Sequence, residues 1–421
     1  MRSFRIWVTV VTLLSGSSLF AQNTDTLRIT LAQADSLLIS RNLSLIAYHY
    51  EVDKAEARKV QEKLFSNPEL FTEWNLYNPT AKQWLDAGRN GQKIIQLQKV
   101  FRIAGQRKTS IRLAEEEKQM TQWQYFELAR SLKYALHVSY YRYHFLNNAI
   151  SNIRSRLALL KSVIDLYGDQ YTKGNVSLQE LTRLKSTYFD INNQVNDTQT
   201  ELVQLQSDLQ LLLVDDRVIF PIPNVSSQIV PELTAITLPT LIEQSLANRP
   251  ELKIAQSLQA QNQLRYSLER KQAIPNLTTG AIYDQAGSYV NNYTGIQVGL
   301  QVPLFNRNQG RIQEARIGIE QSKIMLQSKQ QEITREVQTA WNVFQLLRDQ
   351  YASAGTDFEI QLDQLSKGLV SNYSKNNISL LEFTDMFESY NTSIIQLNQL
   401  KADLNKSYEE LNYAVGQDLR P

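Results

Sequence analysis

The side chains in this sequence that could do chemistry are carboxylates that follow a serine by three residues. Glu180 stands three residues after Ser177, and Glu382 stands three residues after Ser379. At the start of a helix this spacing predicts a capping box, in which each side chain accepts a hydrogen bond from the other residue's backbone N–H. Asp385 follows Glu382 by three residues and therefore lies on the same helix face. The two glutamates are candidates both for a structural role and for a functional one.

No constellation of residues in the sequence is typical of an enzyme. The three histidines are His49, His137 and His144. His137 and His144 share a helix face, but no cysteine or acidic residue stands at metal-ligand spacing from them, so we predict a packing role for both. A phosphate-binding loop and a nucleophile motif are also absent from the sequence. We therefore predict no catalytic, cofactor-binding or metal-binding residues.

Composition restricts the classes of partner and the type of secondary structure. The chain has 421 residues with 44 basic and 42 acidic side chains, and this net charge of +2 gives no reason to expect nucleic acid as a partner. It contains no cysteine, which excludes disulfides, thiolate metal sites and lipidation of an N-terminal cysteine. Only 15 glycines and 10 prolines occur, and this scarcity favours long helices.

Residues 1–21 have the pattern of a secretory signal peptide. Arg2 and Arg5 precede an apolar stretch that is too short to span a bilayer as a helix, and small residues lead to Ala21. We predict cleavage before Gln22, with a short N-terminal anchor as the alternative. This interpretation predicts that the protein is exported.

Two segments of the chain repeat each other in the same order. Residues 31–70 align with residues 238–277 at an offset of 207, and residues 171–178 align with residues 373–380 at an offset of 202. Three prolines interrupt the region between the copies. We predict a first repeat over residues 22–213, a linker over 214–237, and a second repeat with a C-terminal tail over 238–421.

Each repeat contains helices that are long and apolar along only a narrow stripe. No proline occurs from residue 104 to residue 166, and the counterpart in the second repeat is predicted over 309–365. The stripes follow steps of three and four, which is typical of coiled-coil packing. Their apolar positions include Leu178, Leu181, Leu184, Ile191, Val195, Leu202, Leu205 and Leu209, and in the second copy Phe383, Phe387, Tyr390, Ile394, Leu397, Leu404, Tyr408 and Leu411. A plain antiparallel coiled coil fits these stripes equally well.

Each repeat also carries two strand candidates of alternating polarity. They lie at residues 70–77 and 94–101 in the first repeat, and at 277–284 and 294–302 in the second. Their lengths are close to the roughly 9–11 residues of a tilted membrane strand. Four strands are too few for a membrane barrel, and open sheet edges are not tolerated in lipid. Three chains would contribute twelve strands, which would close a membrane barrel. Two hairpins packed on the helices are the alternative.

The order of these elements resembles the outer-membrane factor, or TolC-like, family over nearly the whole chain. The local sequence is most similar to its cobalt-zinc-cadmium resistance (CzcC-like) branch. Three stretches carry this resemblance: Asn67–Leu70, Ile103–Arg107 and Pro303–Gly310. They enter and leave the predicted hairpins, and they contain the predicted strand-to-helix transition residues Gly105, Pro303, Asn306 and Gly310.

The resemblance implies a mainly α protein with a small β part. Three subunits would form an α-barrel of long coiled-coil helices and a 12-stranded transmembrane β-barrel, with four strands from each subunit. The implied location is the outer membrane of a Gram-negative bacterium, with the helical barrel in the periplasm. The implied partners are two further copies of the chain, outer-membrane lipid, a periplasmic adaptor protein, and an inner-membrane pump of the resistance-nodulation-division type.

The resemblance also assigns roles at the ends of the helix pairs. These ends would be periplasmic tips for adaptor docking, formed by Gly174, Asn175, Ser177, Asn376, Asn377 and Ser379. Glu382, Asp385 and Glu180 would line a periplasmic gate. The implied function is a passive efflux duct, with heavy-metal cations as the expected cargo. A duct for drugs or exported proteins and a soluble periplasmic adaptor are the alternatives.

Overall fold

The computed structural model describes residues 26–86, 88, 91–222, 236–287, 290–355, 357–375 and 377–419. The predicted signal peptide over 1–21 lies outside the described residues, as do residues 223–235 of the predicted linker and the predicted tip residue Asn376.

Nine helices occur in the described part of the chain, and their order repeats. Two short helices are followed by strands, a long helix, a turn and another long helix, and the same sequence of elements then begins again. The helices are α1 Leu31–Arg41, α2 Leu43–Glu62, α3 Gln106–Thr172, α4 Leu178–Leu213, α5 Leu238–Asn248, α6 Pro250–Gln272, α7 Gln309–Ala354, α8 Phe358–Ser374 and α9 Leu380–Val415.

The first long helix is continuous, whereas its counterpart is broken. The 67 residues of α3 form a rod of about 100 Å. The prediction of one helix over 309–365 is wrong, because α7 ends at Gly355, whose φ of 80° and ψ of 144° are incompatible with a helix. The turns between the paired helices are short, since α3 continues through Gly168 to Thr172 and α8 continues through Gly368 to Ser374.

The predicted hairpins form and pair with each other in one antiparallel sheet. The strands of this sheet are β2 Glu69–Trp74, β5 Lys93–Phe101, β7 Leu277–Ala286 and β8 Asn291–Leu300. Their order in the sheet is β2-β5-β7-β8, so the two hairpins meet through β5 and β7, a pairing that the sequence did not predict. The short strands β3 (Tyr77–Asn78) and β4 (Gln83–Trp84) form a separate ribbon between β2 and β5.

The register of the sheet separates an apolar face from a polar face. One cross-strand row contains Leu70, Leu97, Ala281 and Ile296. The row beside it, whose side chains point to the opposite face, contains Glu69, Gln98, Gly280 and Gln297. Ile296 is 86% exposed and Leu70 is 65% exposed, so the described part of the chain leaves the apolar face uncovered.

A second, parallel pairing packs against α3 and α4. Strand β1 (Thr26–Ile29) precedes α1 and pairs with β6 (Val218–Pro221), which follows α4. The Tyr140 hydroxyl on α3 donates to the Ile29 carbonyl at 2.9 Å and attaches this pair to the long helix.

Buried side chains of the described residues form three clusters along the helices. The largest lies between α3, α4, α8 and α9, and it contains most of the predicted stripe residues, including Leu184, Ile191, Phe383 and Phe387. Leu178, predicted to belong to the stripe, is 60% exposed at the start of α4. The other clusters join α1, α3 and β6, and α5, α7 and α9. None of the described helices carries an apolar stretch of the length that a membrane crossing requires.

Candidate functional site

The two returning helices begin with the same capping box. The Ser177 N–H and Oγ–H donate to Glu180 Oε2 at 2.9 and 2.8 Å, and the Glu180 N–H donates to Ser177 Oγ at 3.2 Å. The corresponding distances between Ser379 and Glu382 are 2.8, 2.8 and 3.2 Å. Each box satisfies N–H groups that have no partner within the helix.

The turns before these helices close through the same type of backbone bond. The Asn175 N–H donates to the Gln170 carbonyl and the Gly174 N–H to the Tyr171 carbonyl, both at 3.0 Å. With Gly174 at a φ of 79°, these bonds form a Schellman motif that ends α3. At the second turn the Asn377 N–H donates to the Asn372 carbonyl at 2.9 Å.

Polar contacts join the first turns of α4 and α9 to each other. Arg183 Nε donates to Thr384 Oγ1 at 3.1 Å. One helical turn further, Thr187 Oγ1 donates to Glu388 Oε1 at 2.7 Å. Thr187 and Thr384 are buried, so these bonds lie in a protected seam between α4 and α9.

An aromatic stack lies next to this seam and joins α3, α8 and α9. The rings of Tyr167 and Tyr373 stack at 6.1 Å, and the rings of Tyr373 and Phe383 stack at 4.4 Å. The Tyr373 hydroxyl donates to the Tyr167 hydroxyl. Burial, this hydrogen bond and the nearby Glu180 carboxylate raise the pKa of Tyr373 above its usual range, so its hydroxyl stays protonated.

The capping boxes keep both glutamates ionised. Hydrogen bonds from the Ser177 N–H and hydroxyl lower the pKa of Glu180, and those from Ser379 lower the pKa of Glu382. The Glu382 and Asp385 side chains are exposed, and Glu180 is half-buried. An ionised glutamate is thus held at the start of each returning helix, where negative charge is also favourable to the helix dipole.

The structure brings the described predicted tip residues together at these two ends. Gly174, Asn175 and Ser177 lie at the first end, and Asn377 and Ser379 lie at the second. The roles of these residues in docking and of Glu382, Asp385 and Glu180 in a gate remain predictions.

The predicted strand-to-helix residues lie at the opposite ends of α3 and α7. Gly105 is the N-cap of α3 with a φ of 72°. In the second repeat the left-handed N-cap is Asn308, whose N–H donates to Asn306 Oδ1 at 3.0 Å. Pro303 lies after the end of β8, and Gly310 lies in the first turn of α7, where nothing would crowd a side chain.

Sequence reasoning missed the residues that join α4 to α9. Arg183 and Thr384 are 201 residues apart, and so are Thr187 and Glu388. This separation is one residue from the repeat offset of 202, so aligning the repeats could have suggested the contacts. Sequence reasoning also missed the acidic partners of His137, Asp35 and Glu409, because they are remote in sequence. Within the described ranges, no group of three or more His, Cys, Asp or Glu side chains is arranged to hold a metal ion.

Comparison with known proteins shows which family the second repeat resembles. Residues 241–417, nearly all of the second repeat, match the family model described as outer membrane efflux protein. The second repeat of the chain is therefore similar to this family. The family match and the fold are those of outer-membrane channels and not of enzymes, in agreement with the predicted outer-membrane location and with the prediction of no catalytic residues.

One curated relative is the cobalt-zinc-cadmium resistance protein CzcC of Cupriavidus metallidurans. The two sequences are 23% identical over 295 residues, which is 68% of this chain and 66% of the relative. The aligned region thus spans just under two thirds of the relative's own length.

Solved channel structures have the same fold along almost the entire chain. CusC matches with a TM-score of 0.73 at 19% identity, over 92% of each chain. CmeC of Campylobacter jejuni matches with a TM-score of 0.75 at 13% identity, over 93% of this chain and 87% of the other. VceC of Vibrio cholerae matches with a TM-score of 0.70 at 15% identity, over 93% of this chain and 97% of the other. The predicted mainly α, TolC-like fold with a small β part is confirmed.

Proposed function

We propose that three copies of this chain form a passive exit duct in the outer membrane, as part of a tripartite efflux system. The observation that carries this proposal is the four-stranded sheet, because β2 and β8 are edge strands with no partner in the described part of the chain. Unpaired edges are costly in lipid, and three such sheets joined edge to edge would leave none.

The two faces of the sheet support the same arrangement. The exposed row with Leu70 and Ile296 suits contact with lipid, and the row with Glu69 and Gln297 suits a water-filled interior. An uncovered apolar face of this kind needs a partner in a water-soluble protein, whereas lipid covers it in a membrane.

The helical part would then extend into the periplasm, and the turns between its paired helices would surround its periplasmic opening. The described tip residues would dock a periplasmic adaptor, and an inner-membrane pump would supply the energy. The outward-facing carboxylates of Glu180, Glu382 and Asp385 would form rings around the opening in the trimer, where negative charge attracts cations.

Heavy-metal cations are the proposed cargo. The name of the CzcC relative and the acidic side chains at the hairpin ends favour this cargo. A duct for drugs or exported proteins is the second candidate, because a passive duct contributes little to the choice of cargo.

Fractionation and conductance measurements test the duct. We expect a heat-sensitive trimer in the outer-membrane fraction and, after reconstitution of the purified protein in a planar bilayer, cation-selective conductance. A monomer that stays in the water-soluble fraction would contradict the proposal.

Susceptibility measurements test the cargo. Deletion of the gene for this chain should sensitise the bacterium to cobalt, zinc or cadmium salts, and expression of the full-length chain should restore resistance. Sensitisation to hydrophobic drugs with unchanged metal tolerance would favour the second candidate and leave the duct itself intact.

A further inference from the structure

A buried histidine joins three segments of the chain that are far apart in sequence. His137 lies on α3, and its Nε2 atom is 2.8 Å from Asp35 Oδ1 on α1. Its Nδ1 atom is 2.9 Å from Glu409 Oε2 on α9. The His137 and Glu409 side chains are both 5% exposed. The imidazole therefore connects the N-terminal helix to the long helices of both repeats.

When Asp35 and Glu409 are both ionised, two hydrogen bonds require this imidazole to carry a proton on each nitrogen. A neutral imidazole has one N–H, and an ionised carboxylate has none, so a neutral His137 can donate to only one of its two partners. Burial disfavours the charged ring, but the hydrogen bonds and negative charges of Asp35 and Glu409 outweigh it and raise the pKa of His137. Conversely, His137 and Lys133 lower the pKa of Asp35 despite its partial burial.

Other titratable side chains face this cluster from a cavity of about 440 Å³. Lys133 Nζ lies 3.3 Å from Asp35, and Arg130 is paired with Glu127 and Glu251. The remaining titratable groups that line the cavity are Tyr134, Tyr413 and Asp418.

His137 is the group in this cluster whose ordinary pKa is nearest to neutral pH. Burial is the main cause that raises the pKa of Tyr134 and of Tyr413 to about 12, so both stay neutral. The cavity allows solvent protons to reach the histidine.

We propose that His137 is a proton-dependent clasp that holds α1, and with it the β1–β6 pair, against the helical body. Loss of the proton leaves either the buried Glu409 carboxylate or the partly buried Asp35 carboxylate facing a ring nitrogen without a hydrogen. An 11-residue helix is too short to persist alone, so α1 depends on its contacts with α3 and α4. Alkaline pH thus loosens this N-terminal segment while the long coiled-coil helices stay packed.

The direction of the pH dependence follows from the raised pKa. The stabilisation is fully present below the unfolded-state value of about 6.5 and is lost as the pH rises through the higher folded-state value. The opening equilibrium of α1 should rise by about tenfold for each unit by which folding raises the pKa of His137.

Thiol labelling can measure this opening because the chain contains no cysteine. Ala34 on α1 is fully buried, and Ser36 on the same helix is exposed. We would label full-length protein carrying either Ala34→Cys or Ser36→Cys with dilute maleimide from about pH 6 to about pH 9. The ratio of the two labelling rates cancels the titration of the thiol itself, and we expect this ratio to rise above about pH 6.5.

Variants of the clasp separate this mechanism from general loosening. His137→Gln should make the labelling ratio independent of pH, whereas His144→Gln should leave the rise unchanged. If His137→Gln does not fold, Asp35→Asn serves instead, since a neutral imidazole can then satisfy both partners. A constant ratio in the otherwise unchanged chain, or the same rise in His137→Gln or Asp35→Asn, would overturn the proposal.

Discussion

Arg249 shows how a single buried charge can join both repeats. It connects α5 to α6 and is 1% exposed. Its guanidinium pairs with Glu251 at 2.6 Å and with Glu336 on α7, and Glu251 also pairs with Arg130 on α3. Burial opposes the charge, but the bonds to these carboxylates raise the pKa of Arg249. Such a network is stable only while every charge keeps its partner.

Removing this guanidinium should therefore be costly. We expect Arg249→Ala to lower the free energy of unfolding by about 3–5 kcal/mol, because two carboxylates lose a buried partner. Thermal unfolding of the purified protein measures the effect. The matched control is Arg335→Ala, since Arg335 is exposed and bonds Gln338, and a change within about 0.5 kcal/mol is expected there. Equal effects of the two substitutions would contradict the network.

Glu382 has a capping role and a proposed gate role, and two substitutions distinguish them. Glu382→Gln keeps a side chain that completes a capping box but removes the charge, whereas Glu382→Ala removes both. We expect the alanine variant to lose more stability than the glutamine variant, which keeps the hydrogen bonds of the box but not the charge. Both variants should weaken the block of bilayer conductance by divalent cations, more so when combined with Asp385→Ala.

The pH dependence of this cap follows from the lowered pKa of Glu382. Its stabilisation is present above the unfolded-state pKa and is lost as the pH falls through the lower folded-state value. Unchanged cation block in Glu382→Gln with Asp385→Ala would leave the capping box as the function of Glu382.

At the scale of elements, the two long helices differ because of one glycine. Gly355 has a φ of 80° and a ψ of 144°, a conformation that other residues adopt only with strain. Gly168, by contrast, lies inside α3 with open space around the position of a side chain.

This contrast predicts opposite effects of the same substitution. Gly355→Ala should destabilise the protein by about 1–3 kcal/mol, since the break between α7 and α8 would become strained. Gly168→Ala should stabilise it by up to about 1 kcal/mol, because alanine favours the helix interior. Thermal unfolding of both variants measures these changes, and stabilisation by Gly355→Ala would show that α7 can continue through the break.

At the scale of the whole molecule, the sheet faces distinguish a membrane protein from a water-soluble one. Ile296 and Gln297 are neighbours on the edge strand β8 and point to opposite faces. We expect Ile296→Arg to cost about 2–4 kcal/mol at the lipid face and to deplete the folded trimer from the outer membrane. Gln297→Arg should be tolerated.

Heat-modified migration of the trimer in outer-membrane fractions measures both variants. In a water-soluble protein neither substitution would matter, because Ile296 is already 86% exposed in the single chain. Equal trimer yields would therefore contradict a membrane-embedded sheet.

The local elements could be predicted from the sequence because their causes are local. Periodic apolar residues predicted the helices and hairpins, and the spacing of Ser177 and Glu180 predicted a capping box that forms at both hairpin ends. The repeat also predicted that the two halves share one order of elements. The family resemblance, carried by short motifs such as Pro303–Gly310, is confirmed. The division of the chain into domains remains a prediction.

Only the tertiary structure decided which distant residues meet. Neither spacing nor composition indicates that β5 pairs with β7, because that register depends on how the two repeats pack. The same holds for His137, whose partners are 102 and 272 residues away, and for Arg249, whose burial depends on α7 and α9. A buried charge is stable only where several elements converge, and that convergence is a property of the folded chain.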